Sequence, residues 1–427
     1  MPIEANETNG AAVKDGANPP HINPVPRISI QAFCETPDVA AIIQAAMADR
    51  RMNKAHVKLH MGGAPAAVEA YRSAPTPNVI VLEATHDRDT LAANLDELSE
   101  FCDAGTKVVI CGKVNDITLY RHLMLKGVSE YLVAPFSALD FVQAISSLYN
   151  TPGASPVGRV IAVIGAKGGV GASTIAHNLA WSIASGLDIS TVIADMDLAF
   201  GTAGLDYNQD PPQGMAEAVF APDRVDANLV DRLLSKCSDK LSLLAAPATV
   251  DRPYDFAETA FDPVVDILRN ATPCVVLDLP HAWTAWTRRM LVGADEVVIV
   301  AAPDLANLRN AKNLLDNIRG SRPNDHQPRL VLNGVGLLKR PEIALADFTK
   351  TVEVAPTAVI PHDAKLFGAA ANNGQMIAEI EANGKVAEIL ADLARIVTGK
   401  IELRRSKRGL LEPLMAALGR KKTSAAA

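Results

Sequence analysis

Ala166 to Thr174 reads AKGGVGAST; it follows the apolar run RVIAVIG, Arg159 to Gly165, and opens a segment in which Ile175, Leu179 and Ile183 recur at every fourth residue. The run reads as a buried strand and the spacing as one face of a helix over Ser173 to Ala184. Strand, glycine loop and helix in that order is the setting a phosphate-binding loop requires. Gly168, Gly169 and Gly171 let backbone N–H groups converge with no Cβ in the way, and the helix N-terminus adds the positive end of its dipole. Ser173 then offers a hydroxyl to Mg²⁺, with Val170, Ala172 and Thr174 completing the cradle. The loop departs twice from the general pattern G-x-x-x-x-G-K-[ST], because Ala166 replaces the first glycine and Ala172 replaces the lysine before the hydroxyl residue. The second change removes a cation from beside the β- and γ-phosphates. The lysine that the loop does contain is Lys167. A glycine-rich turn without a ligand is the alternative reading.

Outward from the loop, TVIADMD, LSLLAA, CVVLDL, EVVIVAA, RLVLN and TAVI are short, near-continuous apolar runs. Runs of that kind suit parallel strands covered on both faces. The expected domain spans 159–400. Upstream, 27–150 alternates five β-branched runs (RISIQAF, HVKLHM, NVIVLEA, KVVICG, EYLVAPF) with helix-like segments, which implies another parallel, doubly wound α/β sheet. The break TPGASPVG, 151–158, reads as a linker, and the polar stretch 1–26 as a flexible leader. The chain has 427 residues, enough for two cores, and its 48% apolar against 21% charged composition excludes global disorder. A net charge of −7 argues against nucleic acid as a partner along the whole surface. Cys34, Cys102, Cys111, Cys237 and Cys274 are odd in number and contain no Cys-x-x-Cys pair, which fits reduced cytosolic thiols rather than a disulfide frame or zinc site. The nine histidines form no metal-binding pattern, and no apolar run approaches a membrane span. A cytoplasmic protein is expected.

The loop and the segments downstream of it resemble the deviant-Walker ATPases of the MinD/ParA superfamily. The resemblance implies ATP and Mg²⁺ as cofactors, with Lys167 reaching across an ATP-dependent homodimer to the partner's nucleotide. IADMDLAFG resembles the family's first switch, which gives Asp197 the role of positioning the attacking water and, with Ser173 and Asp278, of organising Mg²⁺, and makes Asp195 its neighbour. VVLDLP resembles the second switch, with Asp278 as the acid that holds the Mg²⁺ hydration shell. LVLNG places Asn333 where the family reads the adenine edge, and VIPHDAKLFGAAANNG sets Pro361 and His362 beside the base. With Ala172 in place of a lysine, slow turnover is expected, since one lost donor commonly costs on the order of 10²–10³ in rate.

The first domain resembles a response-regulator receiver of flavodoxin-like strand order whose phosphorylation residues have been replaced. Cys34 and Glu35 stand where an acidic pair is required, Glu83 where the acceptor Asp is required, Cys111 and Gly112 where a hydroxyl is required, and Ala134 in place of the Lys before Pro135. Phosphotransfer is therefore not expected; docking or dimerisation is. Glu83 reads as a surface carboxylate at a strand end, with imitation of a permanently charged acceptor as the alternative. In 401–427, basic clusters flank LLEPLMAAL, whose Leu410, Leu411, Leu414, Met415 and Leu418 share a helical face. Such a tail suits an anionic inner-membrane surface; a solubilising or nucleic-acid-binding arm is the competing reading. A degenerate receiver followed by this ATPase resembles the CpaE/TadZ family, which implies polar localisation and partners in the assembly machinery of Flp/Tad-type pili. A ParA-like DNA-partitioning ATPase and a non-hydrolysing polar scaffold are the alternatives.

Overall fold

A computed structural model describes residues 22–85, 88–150, 157–250 and 252–400. The tail 401–427, most of the linker (151–156) and the leader up to residue 21 lie outside the described residues. Two parallel sheets organise the chain. The first comprises β1 (Ser29–Cys34), β2 (His56–Met61), β3 (Val79–Ala84), β4 (Lys107–Gly112) and β5 (Glu130–Val133), in the order β2-β1-β3-β4-β5. Successive side chains of a strand face opposite ways. Ile30, Val79, Val81 and Val109 therefore enter one core, and Phe33, Ile80, Leu82 and Ile110 the other. Helix starts are set locally. Thr36 caps Pro37–Met47 by accepting from the Val39 amide, and Ser137 with Asp140 forms a reciprocal box at Ala138–Ser147.

The second sheet comprises β6 (Arg159–Gly165), β7 (Thr191–Asp195), β8 (Ser235–Lys236), β9 (Leu241–Leu244), β10 (Cys274–Asp278), β11 (Glu296–Ala301), β12 (Arg329–Val335) and β13 (Ala358–Pro361). Their order is β13-β12-β11-β6-β10-β7-β9-β8, parallel throughout except for the short antiparallel edge strand β8. β6 lies between β10 and β11, so its apolar run is buried on both faces. Both domains are thus doubly wound α/β units, and β6 delivers the glycine loop to the carboxyl end of its sheet.

Two features differ from the sequence reading. Ile22 and Val25, read as part of a flexible leader, are buried with Met52 in the first core, and the Val25 amide donates to the Arg51 carbonyl at 2.8 Å. Glu83 is not a surface carboxylate. It is 2% exposed and accepts from the amides of Glu35 (2.7 Å) and Thr36 (2.8 Å) and from the Thr36 hydroxyl (2.6 Å). The glutamate side chain reaches the loop after β1, whose amides and Thr36 hydroxyl satisfy it there. Burial, then Glu83, pushes the neighbouring Cys34 thiol up to about 11.

The two domains are joined through the turn Arg50–Met52. The Arg50 guanidinium, 4% exposed, meets Asp325 at 2.8 Å and Asp295 at 3.2 Å and donates to the Gly293 carbonyl at 3.0 Å. Arg51 also pairs with Asp325, Asn324 donates to Asp49 at 3.0 Å, and Arg269 meets Asp295 at 3.0 Å. Removing one partner of a buried charge network leaves the other charged and dry, which costs roughly 3–5 kcal/mol. Because Arg51, Arg269 and Arg322 still face the same acids, Arg50→Ala is expected to lower the free energy of unfolding by about 3 kcal/mol, at the low end of that range. Urea denaturation measures the loss, and limited proteolysis should release the first domain sooner than in the wild type.

Candidate nucleotide and metal site

The loop after β6 is held in shape by side chains that come from far along the chain. Ala166 donates to the Val300 carbonyl at 2.8 Å and accepts from Asn310 at 2.9 Å. The Gly165 carbonyl lies 2.9 Å from His281 Nδ1, and Asn333 donates to the Val170 carbonyl at 2.9 Å. Gly171, with φ +86°, caps the helix Ala172–Trp181, and a Cβ there would stand 2.6 Å from Asn333 Nδ2. Gly169 also has positive φ, at +75°, but a Cβ there would meet nothing within 4 Å.

Gly169, Val170, Gly171 and Thr174 line one cavity of about 330 Å³ with Asn333, Pro361 and His362. Seven of the residues singled out by sequence thus meet at one place. Arg340 lines it too and pairs with Asp304, the cap of the helix Leu305–Ser321. The exposed Lys167 is close enough to Asp304 to act on its charge: burial alone would raise that carboxyl, but the Asn307 amide, Lys167 and Arg340 hold it below the usual range. Gly168 is exposed beside Lys167, and Ser173 follows Ala172 in the first turn of the helix.

The acids occupy the ends of two adjacent strands. Asp278 closes β10 and Asp195 closes β7, and the two are paired in register. Asp195 accepts from the amides of Asp197 and Ala203, each at 3.1 Å, while Asp197 is half-buried and accepts from the Phe200 amide at 3.1 Å. The tertiary structure therefore brings a carboxylate oxygen of Asp195 within 4.8 Å of one of Asp278. The third member of that cluster is His177, whose carboxylate neighbours are distant in sequence and meet it only in the fold. Its ring places Nε2 at 3.1 Å from Asp278 Oδ2 and Nδ1 at 2.7 Å from Asp206 Oδ2. Burial by itself lowers the His177 pKa, but the hydrogen bonds to Asp206 and Asp278 outweigh it and carry the imidazole up to about 10. Burial and the neighbouring Asp278 raise the Asp195 carboxyl, with His177 opposing them. The signal available in the sequence is that His177 lies four residues beyond Ser173, on the same helical face.

These residues fit a magnesium nucleotide. Asp278 Oδ1 is buried and has no hydrogen-bond partner, so one carboxylate oxygen at the edge of the loop is left for a cation or its water. Open space at Gly169 and the helix N-terminus suit phosphate. Ser173 and Asp278 would hold the metal, with Asp195 in the next rank, and Asn333, Pro361 and His362 would surround the base.

No family model matches the sequence. The septum site-determining protein MinD of Synechocystis sp. is 25% identical over 217 residues, covering 49% of this chain and 78% of that one. The crystal structure of a pilus assembly protein CpaE from Caulobacter crescentus is 46% identical, covers 30% of this chain and 98% of that one, and has a TM-score of 0.30. A putative CpaE2 pilus assembly protein from Sinorhizobium meliloti is 37% identical, with coverages of 28% and 99% and a TM-score of 0.28. The identity across nearly the whole of those two chains carries the relationship, and the TM-scores add nothing to it.

The two positive-φ glycines separate backbone strain from collision. Gly169→Ala is expected to cost about 1 kcal/mol from φ alone, and Gly171→Ala about 2–3 kcal/mol, because its methyl also displaces Asn333. Equal losses in urea denaturation would contradict this account of the loop.

Proposed function

The chain belongs to the CpaE family of pilus assembly proteins and carries a second domain of the MinD/ParA ATPase type; from that premise we propose that it is an ATP-binding, slowly hydrolysing dimeric switch. Its role in this reading is to recruit or position the Flp/Tad-type pilus assembly machinery at a cell pole. The observation that carries the reading is that Gly169 to Gly171, Thr174, Asn333 and Pro361 line one cavity, in a domain that also keeps a buried Asp278 oxygen without a hydrogen-bond partner.

The residues divide the work by chemistry. Backbone amides of Gly168 to Ser173 bind the phosphates, and Asn333 both fixes the loop through Val170 and presents its amide to the base. Mg²⁺, when bound, neutralises charge that develops between the β- and γ-phosphates. Asp278 and Ser173 orient that ion, and Asp197, on the loop after β7, orients the attacking water. Ala172 supplies no cation, so the charge on the transferred group is met by Lys167, which projects from the loop and is exposed. An exposed lysine beside the phosphates is placed to serve a second subunit, and this makes charge neutralisation depend on dimerisation. The tail 401–427 would add weak, reversible contact with an anionic membrane surface, reinforced by avidity in the dimer. Among the described residues no helix is long and apolar enough to cross a membrane.

Ala172 also favours a second reading, in which the loop is vestigial and the protein is a scaffold that ignores nucleotide. Light scattering of the full chain with ATP, ADP and no nucleotide separates the two. The switch predicts a dimer with ATP that Lys167→Ala abolishes, whereas the scaffold predicts one size throughout. A ParA-like DNA-partitioning role predicts DNA binding that weakens steeply with salt, and the net charge of −7 opposes it.

A further inference from the structure

His177 has no part in the function just proposed, yet the acid end of the site is organised around it. It is fully buried on the helix that begins at the phosphate loop. Both ring nitrogens face carboxylate oxygens, Nε2 toward Asp278 and Nδ1 toward Asp206, so each carries a hydrogen and neither has a lone pair for a metal. The Tyr207 hydroxyl, itself buried, donates to the His177 carbonyl at 2.6 Å and locks that turn of the helix. Asp206 ends the short helix Ala203–Asp206, whose first amide donates to Asp195. A closed circuit therefore runs from Asp278 through His177 and Asp206 to Asp195 and back to Asp278 across the paired ends of β7 and β10.

The consequence falls on Asp278. An aspartate terminal torsion is broad and nearly two-fold, so an unanchored carboxylate offers either oxygen in many orientations. Here Oδ2 is tied to His177 and Oδ1 is buried without a partner. We infer that His177 is a positioning residue of the nucleotide–metal site: it anchors Asp278 through Oδ2 so that Oδ1 is presented to the cation accompanying the phosphates, and it links that carboxylate to the segment 203–206. The inference rests on the nucleotide reading above. Its chemical logic is that of partners behind a metal site, whose removal typically costs about 10–100-fold in metal affinity.

The test measures binding of a non-hydrolysable ATP analogue to the full chain, with Mg²⁺ and with EDTA, so that each protein's own EDTA affinity is its baseline. The wild type is expected to bind more tightly with Mg²⁺, and His177→Ala to lose about tenfold of that gain. The double variant His177→Gln/Asp206→Asn keeps a neutral donor toward Asp278 and an acceptor toward position 206, and is expected to recover most of it. A wild-type Mg²⁺ gain in His177→Ala overturns the inference, as does a double variant as deficient as the alanine, since geometry would then not be what matters. If circular dichroism finds His177→Ala unfolded, the double variant decides alone, with recovery in support and loss against. A wild type that binds no analogue in either condition brings down the nucleotide reading itself, a result visible before any substitution is made.

Discussion

Three carboxylates, those of Asp195, Asp206 and Asp278, converge beneath the glycine loop on one imidazole, and the rest of the site is arranged around the need to keep them there. Burying like charges at such separations is unfavourable unless each is hydrogen-bonded and some counter-charge is present. His177 supplies the counter-charge, and the Asp197 and Ala203 amides supply bonds to Asp195. The circuit is complete save for one oxygen of Asp278. A buried carboxylate oxygen without a partner in an otherwise hydrogen-bonded cluster is the feature that supports the proposed uptake of a cation with phosphate.

The loop is shaped by distant parts of the chain for the same reason that it can bind phosphate. Its glycines give up side-chain contacts, so they cannot hold a conformation alone. Asn310, His281 and Asn333 hold it instead, through the carbonyls of Ala166, Gly165 and Val170. Asn333 holds the loop through Val170, and a Cβ on Gly171 would collide with its amide.

Buried polar contacts join the first domain to the second and close the loop after β1 over Glu83. Glu83 satisfies the amides of the loop after β1, while Arg50 spans Asp295 and Asp325 of the second domain. Both are buried charged contacts, which confer specificity of arrangement at the cost of desolvation.

Much of the fold was legible in the sequence, because apolar runs bounded by glycine and proline mark strands whatever they later pair with. The strand–loop–helix at Ala166 to Thr174 and the five alternations over 27–150 could be read in this way. The set Gly169 to Gly171, Thr174, Asn333, Pro361 and His362 could be read from ordered motifs, and these residues line one cavity. Three features could not be read. Glu83 looked exposed because a carboxylate at a strand end usually is, and only the loop folded over it reveals otherwise. Arg50 and Asp295 are 245 residues apart, and no local pattern pairs them. His177 looked like one of several scattered histidines, since Asp206 and Asp278 reach it from 29 and 101 residues away. What the sequence determined by itself was whatever depends on short-range periodicity and backbone freedom: the strands, the helices and a loop able to cradle an anion. What only the tertiary structure decided was which charges are buried together, because burial and pairing are set by residues that meet only after the chain has folded.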